Sequence, residues 1–273
     1  MILLEGKYVA GAIRSEMKAQ VAALVAAGKR VPSLSIVLVG HDPASETYVA
    51  NKLKACAEVG IAARKIALDE GVSESELLRC VDELNRDASV DGFIVQLPLP
   101  GHINEARILS AIDYRKDVDG LTPENIRRAE QGLPSIVSAP ARGVRDLMSR
   151  YGIVTEGKHV VVIGSRLLAS GLEGVTVTEC DKDMRQLRDI CLSADIIISA
   201  ADSPRFLTAD MVREGAIVID AGFNRVEDKL VGDVDFENVS PKCAYITPMP
   251  GGLGPMTIVG LLQNTLQAYA IHI

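Results

Sequence analysis

Apolar positions along this chain keep changing their period. Ile13, Met17, Val21, Leu24 and Val25 recur at helical spacing across residues 11–27, and residues 35–40 then run Ser-Ile-Val-Leu-Val-Gly. A short unbroken apolar run ending in glycine marks a strand buried on both faces, as in a parallel sheet. Helical spacing returns with Val49, Leu53, Cys56 and Ala57, behind Asp42-Pro43. That pair is a helix start, an acid at the N-cap and a proline at the first helical position. Residues 64–68 predict a second strand, 73–86 a helix and 91–97 a third strand that stops at Pro98-Leu99-Pro100, because proline has no N–H for the ladder. Strand, helix and strand in repeated order predict a parallel sheet with right-handed crossovers.

The alternation resumes after Ser138-Ala139-Pro140. Strands are predicted over 158–164, 175–181, 195–200 and 216–220, and helices over 143–151, 184–192, 208–213 and 257–269. The fold expected is α/β, two parallel-sheet α/β units with the second Rossmann-like. Residues 1–138 form the first unit, with a closing helix at 257–273 packing back on it, and residues 139–256 form the second. Ligands in such folds gather at the carboxyl ends of strands, which makes a cleft between the units the expected site.

Composition narrows the class. The 273 residues suffice for one large domain or two smaller ones, and 48% hydrophobic content with 4% aromatics and no tryptophan describes an aliphatic core. A net charge of −7 without a basic block argues against nucleic acid as a partner. Five scattered cysteines lack a C-x-x-C pair and four histidines are dispersed, so neither a disulfide framework nor a metal site is expected, and a reducing cytoplasm fits. No leader or membrane-length apolar run is read, so no membrane partner is expected.

Candidate chemistry begins with Tyr48 and Lys52, four residues apart and so on one helix face. A lysine beside an apolar stripe can lose its proton near neutral pH, because burial disfavours the ammonium. The plain alternative is a surface lysine running past a half-buried tyrosine. Further segments fall at strand ends. Val95-Gln96-Leu97-Pro98-Leu99-Pro100 sets an amide beside a rigid turn, and Lys116-Asp117-Val118-Asp119-Gly120 offers two carboxylates beside a glycine. Asp220-Ala221-Gly222-Phe223-Asn224 follows a strand, and Thr247-Pro248-Met249-Pro250-Gly251-Gly252-Leu253-Gly254-Pro255-Met256-Thr257 opens into the last helix. Singly, each reads as a turn rather than a site, since glycine and proline punctuate loops.

In that order and spacing, with Tyr48-Val49-Ala50-Asn51-Lys52, these segments resemble the bifunctional methylenetetrahydrofolate dehydrogenase/methenyltetrahydrofolate cyclohydrolase family almost end to end. The resemblance implies a folate-binding first unit, a nucleotide-binding second unit and a homodimer. It implies oxidation of 5,10-methylenetetrahydrofolate with NADP or NAD, then hydrolysis of the methenyl product to 10-formyltetrahydrofolate. Lys52 becomes the central residue of the hydrolysis, oriented by Gln96, with Tyr48 on the pterin and Asp119 gripping the pterin ring nitrogens. Leu97, Pro98, Pro250, Gly251, Gly252 and Gly254 complete the implied substrate contacts. The chemistry is consistent, since an amide orients an amine without favouring its charged form and a carboxylate accepts paired donors.

The nucleotide half departs from the family pattern. A Gly-x-Ser-x-x-Val-Gly-x-Pro turn and a full helix are replaced by Gly164 and the ten residues from Ser165 to Gly174. That is barely the ~10–12 residues of a parallel crossover, so its helix is expected to be very short or absent. Cofactor contacts are expected at Gly164, Ser165, Arg166, Asp181 and Phe223, with binding weakened or altered because that helix and its glycines normally hold the pyrophosphate. Asp181 stands where an acid accepts the ribose 2′-hydroxyl of NAD, or else is a solvated strand end. Ser138-Ala139-Pro140-Ala141-Arg142-Gly143 likewise replaces a Pro-Cys-Thr-Pro-x-Gly stretch. Two alternatives stand beside the bifunctional enzyme: a cyclohydrolase alone with a degraded cofactor site, and a non-catalytic folate- or partner-binding protein.

Overall fold

A computed structural model describes residues 1–227 and 229–272. The chain opens with β1 (Ile2–Leu3) and α1 (Gly6–Ala26), then β2 (Ser33–Val39), α2 (Pro43–Val59), β3 (Ala62–Leu68), α3 (Glu74–Arg86), β4 (Gly92–Val95), α4 (Glu105–Ala111) and α5 (Pro123–Glu130). After α6 (Ala139–Arg150) follow β5 (His159–Ile163), β6 (Thr176–Cys180), α7 (Leu187–Ser193), β7 (Ile196–Ser199) and β8 (Ala216–Asp220). The remainder is β9 (Asn224–Val226), β10 (Lys229–Val231), α8 (Phe236–Val239), β11 (Cys243–Ile246) and α9 (Leu253–His272). Two compact units result, residues 12–139 with 258–273, and residues 1–11 with 140–257.

The first of these holds a three-stranded parallel sheet in the order β3-β2-β4. Its core lies where Val37, Val39, Phe93 and Val95 meet Leu77, Val81 and Leu84 of α3. Asp42 caps α2 as its sequence predicts, accepting the Ser45 N–H at 2.7 Å with Pro43 in the first turn. Ser73 and Glu76 close a reciprocal capping box at the start of α3. The third strand begins at Gly92 rather than Asp91, whose backbone N–H donates to Ser33 Oγ at 3.0 Å while its carboxylate accepts the Ser33 N–H at 2.7 Å and the Arg30 guanidinium. Beside β4, Phe93 donates its N–H to Lys116 O at 2.9 Å, bringing the Lys116–Gly120 segment against the sheet.

In the other unit six strands run parallel in the order β1-β11-β8-β7-β5-β6. Strands β5, β7 and β8 are apolar because both their faces are covered, and Val161, Ile163, Ile197 and Val218 lie in one core with Leu187, Cys191 and Leu207. Several expectations change, and one strand is new. The helix expected at 208–213 is a 3-10 turn over Ala209–Met211. The helix expected from 184 begins at Leu187, after a turn in which Met184 donates to Asp181 O. Cys243–Ile246, to which the sequence reading assigns no element, is a strand between β1 and β8. The last helix starts at Leu253 rather than 257, since Pro255 sits in its first turn, where no partner for a proline N–H is needed.

Candidate active site

Helix α2 buries Val49, Ala55, Cys56 and Val59 and leaves Lys52 half-buried on its flank. One turn before it, Tyr48 remains 38% exposed, and burial of the rest pushes its hydroxyl pKa up. Gln96 follows directly after β4, and its backbone N–H donates to Val37 O at 2.9 Å, which fixes where its side chain starts. The side-chain Nε2 donates to Leu97 O at 2.7 Å, and Oε1 accepts from Lys52 Nζ at 3.0 Å. With its nitrogen committed to a carbonyl, the amide must turn its oxygen to the lysine. Leu97–Pro98 is a cis peptide, and Leu99 beyond it donates to Glu105 Oε1 at 2.8 Å. Cys56, one turn past Lys52, is a buried thiol pushed up to about 12, so it offers no thiolate.

The Lys116–Gly120 segment separates structural from available charge. Lys116 is buried and donates Nζ to Leu84 O at 3.0 Å and Asp87 O at 2.7 Å, capping the end of α3. Asp117 accepts the N–H groups of Gly120 and Thr122 and the Asn125 amide, at 2.9, 2.7 and 3.0 Å. Asp119, between Val118 and Gly120, has a side-chain carboxylate that accepts no hydrogen bond among the described residues; its backbone carbonyl takes the Ala139 N–H. Burial pushes the Asp119 pKa up, while nearby Lys52 pulls it down and Asp117 adds to the rise. Lys52, Gln96 and Asp119 therefore share one neighbourhood, and Asp119 is the acid left open to a ligand. Gly120 makes the turn possible, since its φ is +71° and a Cβ there would lie 2.5 Å from Val137 C.

The remaining residues expected at a substrate lie in the other unit. Pro250 is exposed after a cis Met249–Pro250 peptide, Gly251 O accepts the Lys7 N–H at 2.8 Å, and Gly252 is buried against Pro248 and Thr247. Gly254 is helical and exposed in the first turn of α9, where loop was expected.

At the tips of the six-stranded sheet, the strand order reverses between β5 and β7, whose neighbours β6 and β8 lie on opposite sides. Gly164 sits at that point with φ +103°, and a Cβ there would meet Ala200 O at 2.2 Å. Bare backbone at such a crevice fits a dinucleotide. The connection from β5 to β6 holds only a 3-10 turn over Arg166–Ala169, as its length predicts. Ser165, Arg166 and Asp181 are exposed, and Phe223, on the loop after β8, is 52% exposed. Arg166 donates its backbone N–H to Glu179 Oε1 at 3.1 Å, a contact no motif announces.

Sequence reasoning also passed over Asp233. Fully buried, it accepts from Ser199 Oγ at 3.1 Å, the Ala201 and Ser203 N–H groups at 2.6 and 3.0 Å, and Asn224 Nδ2 at 2.9 Å. Asp220 accepts the N–H groups of Gly222, Asp233 and Val234, at 2.9, 3.0 and 3.0 Å, so these two acids shape the loops after β7 and β8. The Gly232-Asp233 pair was the visible signal, but only the tertiary fold shows which backbone donors it meets.

Comparison with known proteins agrees with this geometry. Residues 4–119 match the catalytic domain of tetrahydrofolate dehydrogenase/cyclohydrolase, and residues 138–273 match the NAD(P)-binding domain of the same family. A Porphyromonas gingivalis protein called bifunctional protein FolD is 51% identical over 97% of this chain and 96% of its own length. The crystal structure of the bifunctional FolD enzyme of Campylobacter jejuni superposes with a TM-score of 0.97 at 44% identity, covering 100% of both chains. A Trypanosoma brucei methylenetetrahydrofolate dehydrogenase-cyclohydrolase, solved with NADP and an inhibitor, gives a TM-score of 0.94 at 35% identity over 99% of this chain and 98% of that one.

Proposed function

This chain belongs to the tetrahydrofolate dehydrogenase/cyclohydrolase family, and from that premise we propose how its own residues divide the work. The activity is NAD(P)-dependent oxidation of 5,10-methylenetetrahydrofolate followed by hydrolysis of the methenyl product. In our assignment the pterin lies against Tyr48, and the free Asp119 carboxylate accepts paired donors from its edge, as charge-assisted pairs favour. Leu97 and Pro98 supply surface without polar side chains for a flat ligand.

Hydrolysis is assigned to Lys52. Water adds to the methenyl carbon, and Lys52 Nζ takes a proton from it as the C–O bond forms. The bond from that carbon to N5 then breaks, leaving the formyl group on N10. Of the two protons that leave the water oxygen, one ends on N5 and one in solvent. Gln96 holds the amine by an uncharged acceptor, so the lysine is aimed without being locked in an ion pair. NAD(P)+ supplies a hydride acceptor when bound, and its holders are assigned to Gly164, Ser165, Arg166, Asp181 and Phe223 at the sheet tips.

The observation that carries the assignment is the Lys52–Gln96–Leu97 chain of hydrogen bonds. Lys52→Met is expected to slow methenyl hydrolysis by about 10²–10⁴-fold, the usual range for a positioned base, with an unchanged circular dichroism spectrum. Methenyl absorbance decay measures this, and unaltered turnover would remove Lys52 from the chemistry. Free thiols at all five cysteines suit a reducing cytoplasm, and no helix among the described residues is long and apolar enough to cross a membrane. A homodimer is our expected assembly, to be read by sedimentation.

A further inference from the structure

In dinucleotide folds the backbone N–H groups opening the first crossover face the cofactor's diphosphate. In this chain two of those donors are engaged elsewhere. The Arg166 N–H donates to the Glu179 carboxylate at 3.1 Å, and the Leu168 N–H donates to Ser165 O at 3.1 Å inside the 3-10 turn. Glu179 reaches the turn because it lies on β6, paired beside β5 in register with Val162. Asp181 lies two residues further along the chain, just past the end of β6. Strand alternation returns to the same face every two residues, so a second acid follows Glu179 toward the tip. An α-helix, whose dipole would favour an anion, is missing from this connection.

We infer that Glu179 is an anti-determinant for the cofactor's diphosphate: its carboxylate fills the donor that a phosphate would use and repels the phosphate's charge. The inference rests on the NAD(P) assignment above. Nucleotide affinity in this chain is therefore set by competition between Glu179 and the diphosphate for one N–H group. Two consequences separate this from a merely structural contact. Fragments without phosphate are indifferent to Glu179, and the effect of removing it shrinks with salt, because screening shortens from about 10 Å at 0.1 M to about 3 Å at 1 M.

Titration calorimetry with NAD+, ADP and adenosine tests it on the wild type, Glu179→Gln and Glu179→Ala. Glu179→Ala is expected to bind NAD+ and ADP roughly three- to tenfold tighter at low salt, the size of one exposed charge contact plus a freed donor. Glu179→Gln, which keeps an acceptor but loses the charge, is expected between that variant and the wild type. Adenosine affinity is expected to be the same in all three proteins. If NAD+ binds the wild type and neither substitution tightens it, the role of Glu179 falls while the cofactor assignment stands. If neither NAD+ nor ADP binds any of the three, the cofactor assignment falls and this inference with it.

Discussion

At Gln96 both ends of the amide are in use, one toward Lys52 and one toward Leu97 O. A carboxylate there would have nothing to donate to that carbonyl and would pair with the ammonium instead. Gln96→Glu is thus expected to lower methenyl hydrolysis at neutral pH by at least about tenfold, since an opposite charge favours the protonated amine. The sign of the pH effect follows. The lysine then yields its proton only at higher pH, so the variant's rate should recover as pH rises, and a pH–rate profile with its limb unmoved would contradict the orientation role. Asp117 and Asp119 make the same point about neighbours. They differ by two positions in sequence, yet one is consumed by three donors and the other stays open.

Among the elements, the turn closing the Asp119 segment has little freedom. Gly120 is at φ +71° with Val137 C only 2.5 Å from any added Cβ. Gly120→Ala is expected to destabilise the protein by roughly 2 kcal/mol, the joint cost of a left-handed residue and a close contact. A urea melt measures this, and an unshifted midpoint would show that the turn relaxes freely. The β5–β6 connection shows how length governs an element: ten residues between Gly164 and Val175 leave space for one 3-10 turn. Short buried strands were harder to place. Cys243–Ile246 has four residues, two of them only partly buried, and its neighbours in the sheet lie far away in sequence.

For the whole molecule, charge on one acid ties distant parts of the six-stranded unit together. Asp195 accepts the His159 N–H at 2.8 Å and pairs with Arg213 and Lys158, and that backbone bond is the first cause of its lowered pKa. A depressed carboxylate stabilises above its unfolded value of 3.8 and loses that contribution as pH falls through the folded value. Asp195→Asn should therefore cost about 1 kcal/mol at pH 7, discounted for the solvent exposure of the pair, with the gap to wild type closing in strong acid. A gap independent of pH would mean that charge is not the cause. The units themselves are discontinuous in sequence: Asn264 Nδ2 donates to Val118 O and Val137 O, both at 2.9 Å, and Tyr269 donates to Arg30 O at 3.0 Å. The sequence alone determined the period of each long element, the cap at Asp42, the shortened crossover and the side chains of the candidate site, because propensity, spacing and loop length act locally. Tertiary structure decided which acid of Lys116–Gly120 is left free, that Glu179 takes the Arg166 N–H, that Asp233 gathers four donors, and that β1 and β11 join one sheet. Those outcomes depend on hydrogen-bond partners brought close only by folding, and no local pattern records a partner tens or hundreds of residues away.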